Sequence, residues 1–263
     1  MDIKQSIRRN FARGAASYDR HAEVQRLMAR DLLERVQDVA AAARRILEVG
    51  CGTGYFTELL HRAYPDAELV ALDLDESLIA QARTRLGPES GVHWLVADGE
   101  ALDRGKFDLL VSNATFQWFT RAGETLQAFG RILSPGGCLA FATLGPGTFR
   151  ELAVSLSLAA TAQGWVRKPE IPAQRFLALA DWKKLLGLAG FTLIDSGQQS
   201  MEAHFPSAPE FFQALKAMGA TNPRPLAFSP RLLQALIRAY DSRFRQNGSV
   251  PATYEILWAL ARK

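Results

Sequence analysis

A short glycine-rich run is the part of the sequence whose residue types and spacing point most directly to chemistry. It reads Glu48-Val49-Gly50-Cys51-Gly52-Thr53-Gly54 and stands between an apolar run and a segment of helical character. Glycines at such a turn let the backbone approach a ligand closely, and the N-terminus of the following helix offers unpaired amides. The dinucleotide fingerprint is Gly-x-Gly-x-x-Gly, whereas the glycines here recur at every second position. The run therefore predicts a ligand-binding loop that differs from the dinucleotide-binding one.

Three further side chains that form hydrogen bonds follow the next apolar runs of the chain. Asp73 stands 19 residues after Gly54, Asp98 follows the third apolar run and Asn113 follows the fourth. The carboxyl ends of parallel strands share the edge of a sheet at which ligands bind. Each acid taken alone fits a helix cap equally well. Their order after the glycine loop favours one common site.

The apolar periodicity predicts the elements that would position this loop and these side chains. Short apolar runs bounded by turns indicate strands, and apolar residues spaced by three or four indicate amphipathic helices. The predicted strands are residues 46–49, 68–72, 92–96, 107–111 and 138–142, and the predicted helices are residues 21–44, 55–60, 77–83 and 126–133. Asp75 is the expected N-cap of the third helix, and Ser134-Pro135-Gly136-Gly137 is expected to close the fourth. This alternation predicts a parallel sheet with helices on both faces.

The second half of the chain is more irregular. Residues 149–163, 180–188 and 209–218 have helical spacing, and residues 191–194 and 255–260 are candidates for two last strands. The segment between those two strands predicts an inserted helical cap.

Composition bounds the class of protein. The 263 residues, 48% of them hydrophobic, suffice for one elaborated globular domain, and the net charge is +4. Cys51 and Cys138 lack the paired spacing of zinc or redox sites, so neither a metal site nor a disulfide is expected. With no apolar leader and no run of 18 apolar residues, we expect a soluble, cytoplasmic protein without a membrane partner. No aromatic-rich basic stripe indicates nucleic-acid binding.

The glycine loop and the acids after it resemble those of class I S-adenosylmethionine-dependent methyltransferases. The resemblance implies a Rossmann-like, seven-stranded α/β sheet with helices on both faces and a helical cap insertion. It also implies that the loop packs against the methionine part of the cofactor, that Asp73 binds both ribose hydroxyls, and that Asp98 accepts from the adenine amino group. The cofactor-binding residues so implied are Glu48, Gly50, Cys51, Gly52, Thr53, Gly54, Asp73, Leu74, Asp98, Gly99, Glu100 and Asn113.

Segments outside the loop resemble the malonyl-acyl-carrier-protein O-methyltransferase family, which opens bacterial biotin synthesis. They are residues 7–19, 112–118, 141–152, 215–221 and 253–255. The match covers nearly the whole chain, is weakest over residues 164–199, and fails over residues 222–230. It implies a single methyltransferase domain over residues 1–263, with an N-terminal helical lid at 1–44, a cofactor core at 45–145, a cap at 146–190 and 200–250, and closing strands at 191–199 and 251–263.

The reaction implied by this resemblance is methyl transfer to the free carboxylate of a malonyl thioester on acyl carrier protein. A carboxylate is already ionised at pH 7, so the site needs no general base. We expect Tyr18, Gln117 and Trp118 to line the pocket, and Lys216 or Arg150 to pair with the malonyl carboxylate. Lys216 as an ordinary surface lysine and Trp118 as core packing remain equally open.

Acyl carrier protein is strongly acidic, and basic residues cluster near the start of this chain. Docking candidates are Lys4, Arg8, Arg9, Arg13 and Arg20, together with Arg224 and Arg231. A solvated helix face is an equally good explanation of the cluster. We expect a monomer, and the sequence leaves open whether coenzyme A can replace the carrier.

Two other functions stay open at this point. A carboxyl methyltransferase acting on a free polycarboxylate such as trans-aconitate shares the tyrosine-bearing N-terminus, and dependence on a thioester would separate it. A catalytically silent, cofactor-binding assembly factor belongs to another class. Such factors usually lose part of the glycine loop or its acids, whereas this chain retains them.

Overall fold

The computed structural model describes residues 3–166, 169–219 and 229–263. The chain divides into two compact units, each made of three stretches. The first comprises Met1–His21, Leu144–Phe176 and Gln199–Ile256, and the second comprises Ala22–Thr143, Leu177–Gln198 and Leu257–Lys263.

The sheet has seven strands in the order β3-β2-β1-β4-β5-β7-β6. Strands β1 to β4 belong to the second unit, and each pairing among β1–β2, β1–β4, β2–β3 and β4–β5 is parallel. The strands are β1 (Arg45–Val49), β2 (Glu68–Asp73), β3 (His93–Val96), β4 (Phe107–Asn113), β5 (Leu133–Leu144), β6 (Thr192–Phe205) and β7 (Val250–Arg262). The predicted seven-stranded α/β fold is confirmed.

Seven of the described helices lie where the apolar spacing predicts a helix, whereas the first and the last lie within the lid and the cap that the resemblance implies. The helices are α1 (Ile3–His21), α2 (Glu23–Ala40), α3 (Tyr55–Ala63), α4 (Glu76–Leu86), α5 (Ala122–Ile132), α6 (Arg150–Ala162), α7 (Leu179–Leu188), α8 (Ala208–Ala217) and α9 (Pro230–Phe244). The Asp75 carboxylate accepts a hydrogen bond from the backbone N–H of Ser77, which confirms the predicted cap of α4. Helix α1 belongs to the first unit and α2 to the second, so the residues predicted as one lid are divided between the units.

Aromatic side chains fill the core of the second unit. Phe116 and Phe141 stack with ring centroids 4.4 Å apart, and Trp182 lies 5.6 Å from the first ring and 5.2 Å from the second. All three are buried. Offset and edge contacts of this kind add to the hydrophobic gain of burying large rings. The cluster holds the turn after β4 against β5 and α7.

The first unit combines helices α1, α6, α8 and α9 with parts of β6 and β7, and it is strongly basic. Helix α6 packs on α9, and α8 packs on both α1 and α9. The sequence of the first unit contains 15 lysine and arginine residues and eight aspartate and glutamate residues, which gives this unit a net charge of +7. Because the whole chain carries +4, the second unit carries −3.

The last two strands are longer than predicted, and part of the predicted cap is wrong. Strand β6 spans Thr192–Phe205 instead of residues 191–194, and β7 spans Val250–Arg262 instead of 255–260. Residues 200–205, predicted as helical cap, are therefore strand. Most of β6 is exposed or half-buried and it lies at the edge of the sheet, so its polar sequence lacks the apolar alternation that marks a strand. Strand β5 likewise begins at Leu133 and includes the four residues expected to close α5 as a turn.

Within the described ranges, no helix is both long and apolar enough to cross a membrane.

Candidate cofactor and active site

The glycine loop follows β1 directly, and its three glycines have left-handed backbone conformations. The φ angles are 78° at Gly50, 55° at Gly52 and 83° at Gly54. A Cβ atom at Gly50 would lie 2.1 Å from Thr115 Oγ1, and one at Gly54 would lie 2.8 Å from Ala82 Cβ. A Cβ atom at Gly52 would have no protein atom within 4 Å. The outer glycines are therefore required by packing inside the protein, whereas Gly52 exposes backbone that a ligand can approach.

The turn after β4 supports this loop. The Ser112 hydroxyl donates to Val49 O at 2.7 Å, and the Thr115 hydroxyl lies 3.4 Å from Gly50 O. Arg85, in α4, also supports the loop, since its Nε donates to Thr53 O at 2.9 Å. The sequence did not single out Thr115 or Arg85, because nothing in a single sequence pairs them with a loop more than 30 residues away.

Asp73 ends β2 beside the loop. Its Oδ2 accepts from the backbone N–H of Gly52 and its Oδ1 from that of Asp75, both at 3.0 Å. Burial raises the pKa of Asp73 to about 6, against the lowering effect of these two hydrogen bonds. The structure thus places the predicted ribose-binding carboxylate at the glycine whose backbone is open to a ligand.

Glu48, in β1, is an interior acid. It is buried, and its Oε2 accepts from the Thr57 hydroxyl at 2.6 Å. Burial raises the pKa of Glu48 to about 8, with a smaller contribution from the charge of Asp73, so the group is largely protonated at neutral pH. Burial also raises the pKa of the Cys51 thiol, which therefore stays protonated. Glu48 thus links β1 to Thr57 of α3, and Cys51 is a buried member of the loop.

The loop after β3 holds Asp98, Gly99 and Glu100. Asp98 Oδ1 accepts from the N–H of Glu100 at 2.9 Å, which makes Asp98 the cap of a short 3-10 turn. The carboxylate of Glu100 is buried and accepts from the N–H groups of Thr120 and Arg121 at 2.9 and 2.6 Å. The Glu100 side chain thus holds the start of α5. Asp98 therefore stays the candidate for the acid that accepts from the adenine amino group.

Gln117 is held at both ends of its amide. Its Nε2 donates to Ala114 O at 2.6 Å, and its Oε1 accepts from the Thr143 hydroxyl at 2.7 Å. Trp118 follows it in the same 3-10 turn and is half-buried. Both residues belong to the second unit with the cofactor loop. Because both ends of its amide are hydrogen-bonded, the Gln117 side chain is fixed in orientation and can position a neighbouring group.

The other predicted pocket residues belong to the first unit. Tyr18 is half-buried on α1, with its ring centroid 6.4 Å from that of Phe11. Arg150 is exposed and forms ion pairs with Glu151 at 3.0 Å and Glu202 at 3.4 Å. Lys216 is exposed on α8 and, within the part of the chain that the structure describes, has no ion-pair partner. Arg231 is also exposed, whereas Arg224 and Thr221 lie outside the described residues.

Two of the segments that resemble the methyltransferase family meet each other in the first unit. Gly14 of α1 lies against the end of α8 so closely that a Cβ atom there would be 2.5 Å from Gly219 N. A Cβ atom at Gly219 would in turn be 2.3 Å from Asn10 O. The Ser17 hydroxyl donates to Ala217 O at 2.7 Å. Residues 7–19 and 215–219 therefore form one tight helix junction.

Two more of these segments meet around buried carboxylates. Glu255 Oε2 accepts from Gly147 N at 2.7 Å. Glu151, which is buried, accepts from the backbone N–H of Thr253 at 3.0 Å and from its hydroxyl at 2.5 Å. Residues 141–152 and 253–255 thus form a second junction. The sequence showed both segments but not that they are partners.

The residues of the second unit fit the cofactor that the resemblance implies. The loop with its open glycine suits the polar amino-acid end of such a ligand. The carboxylate beside the loop suits a diol, and the second acid, after the next strand, suits a base that carries an amino group. Within the described residues, no cluster of three histidine, cysteine or acidic side chains could hold a metal ion.

The raised pKa of Asp73 predicts a pH dependence for cofactor binding. Above about pH 6 the carboxylate is ionised and can accept two hydroxyl hydrogen bonds, and below it the proton removes part of that capacity. We expect S-adenosylhomocysteine to bind about tenfold more weakly at pH 5 than at pH 7, a decrease of one decade per pH unit below the pKa. Titration calorimetry between pH 5 and 7 measures this, in a window below the titration of Glu48.

The matched variant is Asp73→Asn, which cannot ionise. It should bind more weakly than the unmodified protein at pH 7 and show a flat profile from pH 5 to 7. A slope that persists in this variant would assign the titration to another group.

Comparison with known proteins agrees with this geometry. Residues 46–137 match the family model described as a methyltransferase domain. The malonyl-acyl-carrier-protein O-methyltransferase of Anoxybacillus flavithermus is 36% identical over 97% of this chain and 96% of that relative. The protein of the same name from a Paenibacillus species is 36% identical over 97% of each chain. The solved YcgJ protein of Bacillus subtilis shares the fold, with a TM-score of 0.62 and 15% identity over 89% of this chain and 98% of that one. The chain therefore belongs to the malonyl-acyl-carrier-protein O-methyltransferase family.

Proposed function

We propose that this protein transfers the methyl group of S-adenosylmethionine to the free carboxylate of a malonyl group on acyl carrier protein, giving the methyl ester. The observation that carries the proposal is the similarity to relatives of that name, which extends over 97% of the chain and includes both units. A likeness confined to the glycine loop would support the donor only, because that loop serves many acceptors.

The chemistry requires placement more than proton transfer. When bound, S-adenosylmethionine supplies a methyl group on a positively charged sulfur; a carboxylate oxygen forms the new bond to that carbon as the carbon–sulfur bond breaks. The malonyl carboxylate is ionised at neutral pH, so no side chain has to remove a proton. In this proposal Gln117 and Trp118, in the second unit, hold the carboxylate in line. Tyr18, in the first unit, is proposed as a further acceptor-binding residue.

We favour Lys216 over Arg150 as the cation that recognises the malonyl carboxylate. Arg150 already has two acidic partners, whereas Lys216 is exposed and has no ion-pair partner within the described ranges. A single flexible cation also leaves the nucleophile more reactive than a bidentate clamp would.

The Lys216 assignment predicts a selective loss of activity. Lys216→Met should lower kcat/KM for the malonyl carrier about tenfold, the size expected for one hydrogen bond to a charged group. The affinity for S-adenosylhomocysteine should not change. Steady-state kinetics and calorimetry measure the two quantities, with Arg150→Met as the matched variant. Full turnover in Lys216→Met would remove this lysine from the site.

We further propose that the carrier protein docks on one face of α1. Arg9, Arg13 and Arg20 recur at spacings of four and seven residues, which places them on the same face of the helix. All three are exposed, and none forms an ion pair within the described part of the chain. The net charge of +7 on the first unit suits an acidic partner, whereas the −3 of the second does not.

Charge reversal tests this face. The triple variant Arg9→Glu, Arg13→Glu and Arg20→Glu should raise KM for the malonyl carrier about tenfold at low salt, with kcat unchanged, because rim charges act mainly on association. High salt should shrink the difference, since exposed charges are screened within about 10 Å at 0.1 M.

The control changes the total charge equally on the second unit, through the exposed Arg83, Arg104 and Arg131. Reversal of these three should leave KM within twofold of the unmodified protein. Equal losses in both triple variants would show that net charge, and not α1, governs docking.

The proposed product belongs to biotin synthesis. Masking the malonyl charge lets chain-elongating enzymes treat the ester as an ordinary acyl group on the way to the pimeloyl moiety. We also propose that the protein acts as a monomer in the cytoplasm, without nucleic acid or membrane. Its two cysteines are free and buried, which suits a reducing compartment.

One incubation separates the candidate functions. Labelled S-adenosylmethionine is offered with malonyl carrier, malonyl-coenzyme A and trans-aconitate in parallel. We expect a base-labile label on the malonyl thioesters alone. Label on trans-aconitate would favour the free polycarboxylate function, and no label on any acceptor, with intact cofactor binding, would favour the catalytically silent assembly factor.

A further inference from the structure

Two buried oxygen atoms beside the glycine loop have no hydrogen-bond partner within the described residues. They are Oδ1 of Asn113, at the end of β4, and Oε1 of Gln25, in the first turn of α2. Folded proteins rarely leave buried acceptors without a donor. A pair of them at the ligand-binding edge of a sheet therefore indicates a missing donor.

The two residues touch each other. Asn113 Nδ2 donates to the backbone oxygen of Gln25 at 2.9 Å. This bond fixes the orientation of the asparagine amide, so its other atom is the acceptor and points elsewhere. The two orphan oxygens thus belong to two residues that are in contact with each other, one on α2 and one on β4, within the second unit.

This contact lies at the start of the glycine loop. Thr115, two residues after Asn113, lies with its hydroxyl 3.4 Å from Gly50 O, and Ser112, one residue before it, donates to Val49 O. The methionine end of the proposed cofactor would lie at this loop. That end carries one group rich in donors, the ammonium, and one group that only accepts, the carboxylate.

We propose that Gln25, together with Asn113, binds the ammonium group of the cofactor through these two side-chain oxygens. The inference rests on the proposed cofactor and extends it to a residue of α2. An ammonium group has three N–H donors and can satisfy both acceptors at once, whereas a carboxylate would place acceptor against acceptor. Gln25 is then a binding residue whose side-chain oxygen gains a donor when the amine is present.

The test compares ligands that differ only at this end. S-adenosylhomocysteine, its analogue without the amino group and its analogue without the carboxylate are titrated calorimetrically into the unmodified protein, Gln25→Leu and Gln25→Glu. Gln37→Leu is the matched control, because it makes the same change at an exposed position of the same helix. Thermal unfolding of each variant is followed alongside.

For Gln25→Leu we expect about a tenfold loss of affinity for both amine-bearing ligands and no change for the deamino analogue, the ratio expected from one charge-assisted hydrogen bond. Gln25→Glu keeps an acceptor and should bind the amine-bearing ligands at least as well as the unmodified protein. Gln37→Leu should match the unmodified protein throughout.

Three results would overturn the inference. They are an equal loss for all three ligands in Gln25→Leu, an unchanged affinity for S-adenosylhomocysteine, and a loss that follows the carboxylate instead of the amine. Failure of the unmodified protein to bind S-adenosylhomocysteine would instead contradict the proposed function itself.

Discussion

Replacing Gly52 by alanine is expected to weaken S-adenosylhomocysteine binding about 100-fold, the size of effect that a displacement of about 1 Å produces in a fitted site. The new methyl group would touch no protein atom, since nothing lies within 4 Å of its position. It would instead occupy the space through which the ligand approaches the backbone. The left-handed conformation of this residue, with φ of 55°, should lower the free energy of unfolding by only about 1 kcal/mol.

Replacing Gly50 by alanine should instead affect the stability of the fold more than it affects the approach of the ligand. There the methyl group would lie 2.1 Å from the Thr115 hydroxyl, so the turn after β4 has to move. We expect a loss of about 3 kcal/mol in unfolding free energy, from overpacking and from backbone strain. Chemical denaturation and calorimetry on the two variants measure both quantities. If Gly52→Ala lost stability as severely as Gly50→Ala, the open side of the loop would be assigned to the wrong glycine.

Replacing Gly14 by alanine is expected to loosen the junction of α1 and α8. The added Cβ atom would lie 2.5 Å from Gly219 N, 2.7 Å from the Met218 carbonyl carbon and 2.8 Å from Ala217 O. All three are backbone atoms and cannot rotate away, so the helices must separate. We expect a loss of about 2 kcal/mol in unfolding free energy.

Limited trypsin digestion should report this separation. In Gly14→Ala the exposed arginines of α1 should be cleaved faster than in the unmodified protein, because cleavage requires local opening of the helix. The matched control is Gly130→Ala in α5, where the nearest atoms to a Cβ are 3.7 Å away and the helix gains stability from alanine. Equal digestion of Gly14→Ala and the unmodified protein would show that the junction tolerates the methyl group.

Local patterns were sufficient to predict most of the second unit. The strands β1 to β4, β5 from residue 138 onward, and the cap of α4 follow from apolar runs and from one aspartate before a helix, which are signals within a few residues of each other. The glycine loop was recognisable for the same reason. Strand β6 was not, because an edge strand with a largely exposed sequence shows no apolar alternation.

The supporting contacts of the site could not be predicted in this way. Glu151 and Thr253 are 102 residues apart, and Asn113 and Gln25 are 88 residues apart. Each partner alone is an ordinary polar residue, and only the folded chain shows that it is hydrogen-bonded to the other. The resemblance identified the segments that contain several of these residues, but not their pairing.

The two units alternate along the chain, and this limits the ways in which one unit could be replaced during evolution. Each unit consists of three separate stretches, so no single cut in the gene releases either of them. Neither unit can therefore be exchanged by a simple fusion at one boundary. A new acceptor preference must therefore arise by substitutions in place, under the constraint of the existing donor loop. During synthesis, moreover, α1 leaves the ribosome before residues 208–219 and must wait for them before its glycine junction can form.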